Sequence, residues 1–265
     1  MRYFKLYCTI IKYQLKSQLQ YPVNAIIGFI NQFLVIFFEF IAICALFNVF
    51  GEMDGWSFTE VFLIYGIVNF SFSMAEVFMR GFESNMTGLV RNGDYDRYLL
   101  RPIGSIWQVS AFNFQFVRLG RVFQAFLVLI AGMALNVERI QNGEWLVLIY
   151  SVVGGCLLYF SLYIITGLIV FKVMQYTEFM SIFIQGSITT MQYPISAFPR
   201  WIQNIFTFLL PVALVTYYPI SKILGKENET NIIVCYLVPF VCYLLFAVVV
   251  WLYHYAEKNY VSSGS

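Results

Sequence analysis

Charge, histidine and cysteine are all scarce in this chain. Only 11% of its 265 residues are charged, sixteen basic and fourteen acidic, too few to coat a soluble domain of that size. The net charge of +2 gives no reason to expect a nucleic-acid partner. His254 is the one histidine, which all but excludes histidine-based metal sites and Ser-His-Asp triads. The five cysteines (Cys8, Cys44, Cys156, Cys235, Cys242) are scattered through apolar stretches. Cys235 and Cys242 share a helix face, but a disulfide along one helix is not expected. A phosphate-binding glycine loop is missing too: Gly225-Lys226 is followed by Glu227 and lacks the upstream glycine. No polar cluster at one depth offers an enzyme site. The chain is expected to carry no cofactor or metal of its own and to catalyse nothing by itself.

What remains is oil. Hydrophobic residues make up 60% of the chain and aromatics 20%. The fold class is therefore all-α, a polytopic membrane protein. A span needs about 20 mostly apolar residues, and six stretches qualify, over residues 23–50, 58–78, 106–135, 145–171, 179–193 and 232–253. Arg118 and Arg121 interrupt the third, and the fifth is short. Strands of a barrel would instead alternate over about 10 residues. Residues 1–21 carry Arg2, Lys5, Lys12 and Lys16 without a cleavable leader pattern.

Residues 1–22 read as a separate unit ahead of a transmembrane domain over 23–265. Phe4, Tyr7, Cys8, Ile11, Leu15 and Leu19 form a helical stripe that Lys5, Lys12 and Lys16 avoid. The pattern fits an amphipathic helix on the membrane surface, broken from the first span by Pro22; a helix continuous with that span is the alternative.

Basic residues set the orientation. With the N-terminus inside, cytoplasmic segments hold ten Lys or Arg, among them Arg80, Arg91, Arg97, Arg101, Lys172 and Lys258. Outer segments hold Arg139, Arg200, Lys222 and Lys226, partly offset by Glu138, Glu144, Glu227 and Glu229. Six spans then leave both termini in the cytoplasm. Between spans five and six, residues 194–224 are too apolar for a solvated loop and too broken by Pro194, Pro199, Pro211 and Pro219 for a straight span. Short re-entrant helices on the outer side are expected there, with a seventh span over 201–220 as the competing reading.

Two polar features stand out. Glu39 lies inside the first span, with Asn31 and Gln32 about two turns earlier. At that depth a carboxylate needs a helix interface or a wet cavity; it lines a substrate pathway or pairs with Arg118 or Arg121. Glu76 and Arg80, four apart, read as a local ion pair. Ser151 and Gly155 have the spacing of close helix packing. The second feature is a polar island over 80–105, densest at Arg91-Asn92-Gly93-Asp94-Tyr95-Asp96-Arg97-Tyr98-Leu99-Leu100-Arg101-Pro102, where five of twelve residues are charged.

That island resembles the Gly-x-hydrophobic-Asp-x-Tyr-Leu-Leu-Arg-Pro segment of bacterial type-2 ABC exporter permeases, six-span proteins of about 260 residues. Tyr95 stands where the family more often has an aliphatic residue. Tyr193–Trp201, Pro211-Val212-Ala213 and Tyr217-Tyr218-Pro219 resemble the family's outer segment, and Tyr260-Val261-Ser262-Ser263-Gly264-Ser265 its C-terminal tail. The resemblance implies one half of a transmembrane dimer, homomeric or formed with a paralogous permease, in a bacterial cytoplasmic membrane. A separate cytoplasmic ATPase dimer, which binds the ATP and Mg, would dock on a coupling helix made by Arg91, Asp94, Asp96, Arg97, Tyr98, Leu99, Leu100, Arg101 and Pro102. Tyr193, Pro194, Pro199, Trp201, Pro211, Tyr217, Tyr218 and Pro219 would form an outer gate. The cargo is expected to be a small amphipathic compound, drug or peptide. A non-transporting membrane anchor is the alternative from another class; a secondary carrier would want internal repeats that the sequence lacks.

Overall fold

A computed structural model describes residues 2–141, 143–173, 178–226 and 237–261. Among them regular structure is all helical: α1 (Arg2–Gln18), α2 (Pro22–Phe50), α3 (Phe58–Met79), α4 (Gly81–Ser84), α5 (Met86–Arg91), α6 (Asp96–Leu99), α7 (Ser105–Phe112), α8 (Leu119–Leu135), α9 (Glu144–Val173), α10 (Glu178–Met191), α11 (Arg200–Asn204), α12 (Ala213–Ile223) and α13 (Phe240–Lys258). Single turns at Phe116–Arg118, Ile195–Ala197 and Ile205–Leu209 join them. Five helices are long and apolar enough to cross a bilayer: α2, α3, α8 with its leading turn, α9 and α13. The pair Arg200–Leu209 and Ala213–Ile223 would make a sixth if it is one crossing, but its halves meet at 110°. The expected N-terminal part of the sixth span (232–236), Cys235, Glu227, Glu229 and Ser262–Ser265 lie outside the described residues.

Local chemistry sets the helix ends. Pro22 occupies the first turn of α2, where a missing N–H is harmless. Gly51, at φ 77°, ends that helix in a conformation disfavoured for other residues. Ser57 and Glu60 form a reciprocal capping box that starts α3.

The core is built around α3, which is buried along nearly its whole length. Lipid tails are as apolar as leucine, so packing rather than water exclusion must hold helices together in a bilayer. Two glycines provide it: a Cβ at Gly66 would lie 2.8 Å from the Leu129 Cα, and one at Gly132 2.9 Å from the Leu63 Cα. The α3 and α8 backbones therefore meet in direct contact. Gly155 on α9 leaves room for the Ser71 side chain, whose hydroxyl lies 2.5 Å from where a Cβ would be. Its neighbour in spacing, Ser151, is fully buried.

Two differences from the sequence reading have physical causes. The third span expected over 106–135 is two pieces, because α7 stops at Phe112 and the membrane-crossing part begins at Phe116. Gln18 of α1 staples the gap, accepting from the Phe116 N–H at 2.7 Å and donating to the Phe114 carbonyl at 2.6 Å. Second, α1 turns Tyr7, Ile10, Ile11, Gln14, Leu15 and Gln18 inward and leaves Phe4, Cys8 and Leu19 exposed. Its anchor is α7, through Tyr7, whose hydroxyl is 3.0 Å from the Ser110 hydroxyl and whose ring meets Trp107 edge-on. The stretch expected to be a short fifth span is α10, whose fourteen described residues extend about 21 Å at 1.5 Å each.

Candidate functional site

The polar island folds into a plate at one end of the bundle, pinned from beneath by Tyr95. Gly93, at φ 72°, turns the chain after α5, and the Tyr95 N–H bonds back to the Leu89 carbonyl at 2.9 Å. The Tyr95 ring is wholly buried, stacked on Tyr98 and edge-on to Phe171 and Tyr260. Its hydroxyl donates to Glu257 Oε1 at 2.6 Å and lies 3.1 Å from the Tyr253 hydroxyl, both on α13. Burial, the Tyr253 hydroxyl and the bond to Glu257 push this phenol far above its ordinary pKa, so it remains a neutral donor. Gln108 of α7 closes the other side, donating to the carbonyls of Tyr98 (2.7 Å) and Ile103 (2.6 Å).

Around this anchor the expected coupling residues divide. Leu100 is 86% exposed and Leu99, Arg91 and Pro102 are exposed beside it. Arg97 and Asp94 form a solvent-facing ion pair at 3.3 Å. Asp96 opens α6. Tyr98 is half-buried, and the Arg101 guanidinium lies 4.7 Å over the Phe112 ring and 5.6 Å from that of Tyr98. Arg101 thus braces the plate on α7. A groove of about 950 Å³ opens beside it, lined by Arg101, Trp107, Phe160, Phe246, Val250 and His254 among others.

The arginines do not pair with Glu39. Glu76, only 2% exposed, gathers Arg80 (2.8 Å), Arg121 (2.9 Å) and Arg118. Arg118 also donates to Gln115 at 2.6 Å, and Arg121 lies 5.5 Å over the Phe72 ring. This knot ties the lower end of α3 to the start of α8. Glu39 instead accepts from Gln192 Nε2, just past α10, at 3.3 Å. Glu39 and Asn31 are exposed on α2, and Gln32 is half-buried.

Of the expected gate residues, Pro194, Pro211, Tyr217 and Pro219 are buried, Tyr193 and Tyr218 are half-buried, and Pro199 and Trp201 are exposed. The Cys242 thiol reaches the Pro211 carbonyl at 3.7 Å, and Tyr217 meets the Trp56 ring at 5.4 Å. What secures this end is a residue that sequence reasoning passed over: fully buried Glu60, which holds Arg139 and, at 2.9 Å, Lys226. Lys226 also donates to the Gly55 carbonyl at 2.6 Å, so the 194–224 segment ends on the same membrane face as the 51–57 loop. The Ser-x-x-Glu spacing at Ser57 was the available signal for Glu60. Among the described residues, no group of three or more His, Cys, Asp or Glu could hold a metal.

No curated protein matches the sequence. A family model described as ABC-2 family transporter protein matches residues 33–264, nearly the whole transmembrane unit together with the plate that Tyr95 anchors. On that match and on its bundle of apolar helices, the chain belongs to the ABC-2 transporter family and is an integral membrane permease.

Proposed function

We propose that this chain is the membrane-embedded half of an ATP-driven exporter in a bacterial cytoplasmic membrane. It has six spans with both termini in the cytoplasm and moves a small amphipathic compound or peptide outward. A separate ATPase dimer supplies the energy, binding ATP and Mg, and docks on the 91–102 plate; a second permease subunit completes the pathway. The observation that carries the reading is the contrast within six residues: Tyr95 is fully buried and bonded to α13, while Leu100 is 86% exposed at the tip. An exposed leucine on a rigid, charged plate is disfavoured in water and favoured in a partner's groove. The anchor to α13 gives such a partner a lever on a span, moved as a rigid body when ATP closes the ATPase.

The test is co-purification with the ATPase encoded beside this gene, using a tag on this chain. The double variant Leu100→Asp, Arg97→Ala alters only exposed side chains, so the protein is expected to fold normally and to lose its ATPase. Arg101 is left intact because it braces the plate. If the ATPase never binds the wild type, or binds the variant equally, the chain acts as an anchor without transport and the coupling role is wrong.

A further inference from the structure

Glu39 is in an unusual position for a carboxylate. The 29 residues of α2 span about 43 Å, so a ~30 Å hydrocarbon core laid anywhere along it covers the stretch from about 13 to 30 Å past Pro22; Glu39 lies about 26 Å along. No placement of the bilayer brings it out of the hydrocarbon. Yet it is exposed on this chain's surface, where facing lipid would cost about 2.5–3.5 kcal/mol on the insertion scale. The two fully buried carboxylates on α3, Glu60 and Glu76, each hold at least two cations; among the described residues Glu39 has one amide and no cation.

The surroundings are consistent with a ligand face. α2 buries only Ala25, Ile36, Ile43 and Phe47. Asn24, Asn31 and Glu39 recur at spacings of seven and eight along its open side, and Gln185 and Thr189 are exposed on α10 below Gln192. The arginines described at the spans' inner half, Arg80, Arg118 and Arg121, are already held by Glu76.

We propose that Glu39 is the charge-recognising residue of a binding site for hydrophobic organic cations, with Gln192 orienting the carboxylate. The carboxylate supplies Coulomb attraction in a low dielectric, and the exposed apolar side chains along α2 suit a hydrophobic cation. This site rests on the exporter reading for its transport role but not for its binding chemistry.

The full-length chain with its ATPase, in lipid nanodiscs, would be titrated with tetraphenylphosphonium and with tetraphenylborate, an anion of the same size and shape. Glu39→Gln is expected to weaken cation binding at least about tenfold, Glu39→Asp to keep most of it, and neither to weaken the anion. On the wild type, the cation and not the anion should protect Glu39 from modification by dicyclohexylcarbodiimide, read by mass spectrometry; this measurement needs no variant to fold. Equal cation binding by Glu39→Gln, no cation binding by the wild type, or no protection overturns the proposal. If Glu39→Gln dissociates a permease dimer while the cation binds unchanged, the carboxylate is an interface residue and the proposal falls. An ATPase that co-purifies while the cation ignores Glu39 sinks the site alone. A Glu39-dependent cation with no bound ATPase sinks the exporter and upholds the site.

Discussion

Replacing Glu76 with glutamine should destabilise the protein more than any single arginine change around it. The carboxylate is 2% exposed, and the three guanidinium groups it holds are only 13–28% exposed. Removing one partner of a buried pair costs about 3–5 kcal/mol, because the other charge stays buried without compensation. Here three like charges would remain, with Glu83, 3.9 Å from Arg80, as a weak substitute. At roughly 2–4 °C per kcal/mol for a chain of this size, the melting temperature should fall by on the order of 10 °C. Reaction of buried Cys242 with a maleimide dye during heating in detergent would report it. Arg118→Gln alone should cost little, since it relieves repulsion among the arginines while Glu76 keeps two partners. The decisive comparison is the double variant Glu76→Gln, Arg118→Gln, which should be more stable than the sum of the singles by about 0.5–3 kcal/mol. A Glu76→Gln protein as stable as wild type, or a strictly additive double, would refute the view that this knot is held by one anion.

Other outcomes follow from the same packing. Tyr95→Phe keeps the ring and loses the bond to Glu257, so it should cost about 1–2 kcal/mol and uncouple ATP hydrolysis from any bound cargo more than it lowers melting; an unchanged coupling ratio would argue against α13 as the lever. Gly66→Leu and Gly132→Val force side chains into a backbone 2.8–2.9 Å away and should abolish folded protein on size-exclusion chromatography, whereas Gly88→Ala, with open space around it, should not. Lys226→Met removes one of the two cations of Glu60 and the bond to Gly55, and should expose the 51–57 loop to protease at concentrations that leave the wild type intact.

The long apolar runs made α2, α3, α9 and the bulk of α13 legible, because a span declares itself by length alone. The ends of the polar island were less so. Its charged residues were readable, but Tyr95 looked like a minor departure, and its role appears only when folding brings Glu257, 162 residues away, to its hydroxyl. The same limit explains Arg118 and Arg121. Both arginines and Glu39 could be seen in the sequence, but helix rotation decides which carboxylate faces them, and periodicity does not fix rotation for helices that are apolar all round. The break at residues 113–115 had no sequence signal of its own, since its backbone is satisfied by Gln18 from a helix 96 residues earlier.

The two buried carboxylates sit at opposite ends of one helix, and that arrangement constrains how the protein can move. Glu60 binds the start of α3 to Arg139, just past α8, and to Lys226, just past α12; Glu76 binds its other end to the start of α8. Between them Gly66 and Gly132 hold the α3 and α8 backbones in contact. Sliding α3 against α8 would break charge pairs at both ends at once, so the pair must move as one body. The plate over residues 91–102 is bonded instead to α13, which packs on α9. α2 belongs to the same body as α3 and α8, since a Cβ at Gly120 on α8 would run into the Phe29 carbonyl oxygen and the Tyr65 hydroxyl donates to the Ile36 carbonyl at 2.9 Å. A push on the plate therefore reaches α13 and α9 first, while α2, α3 and α8 stay together as one block.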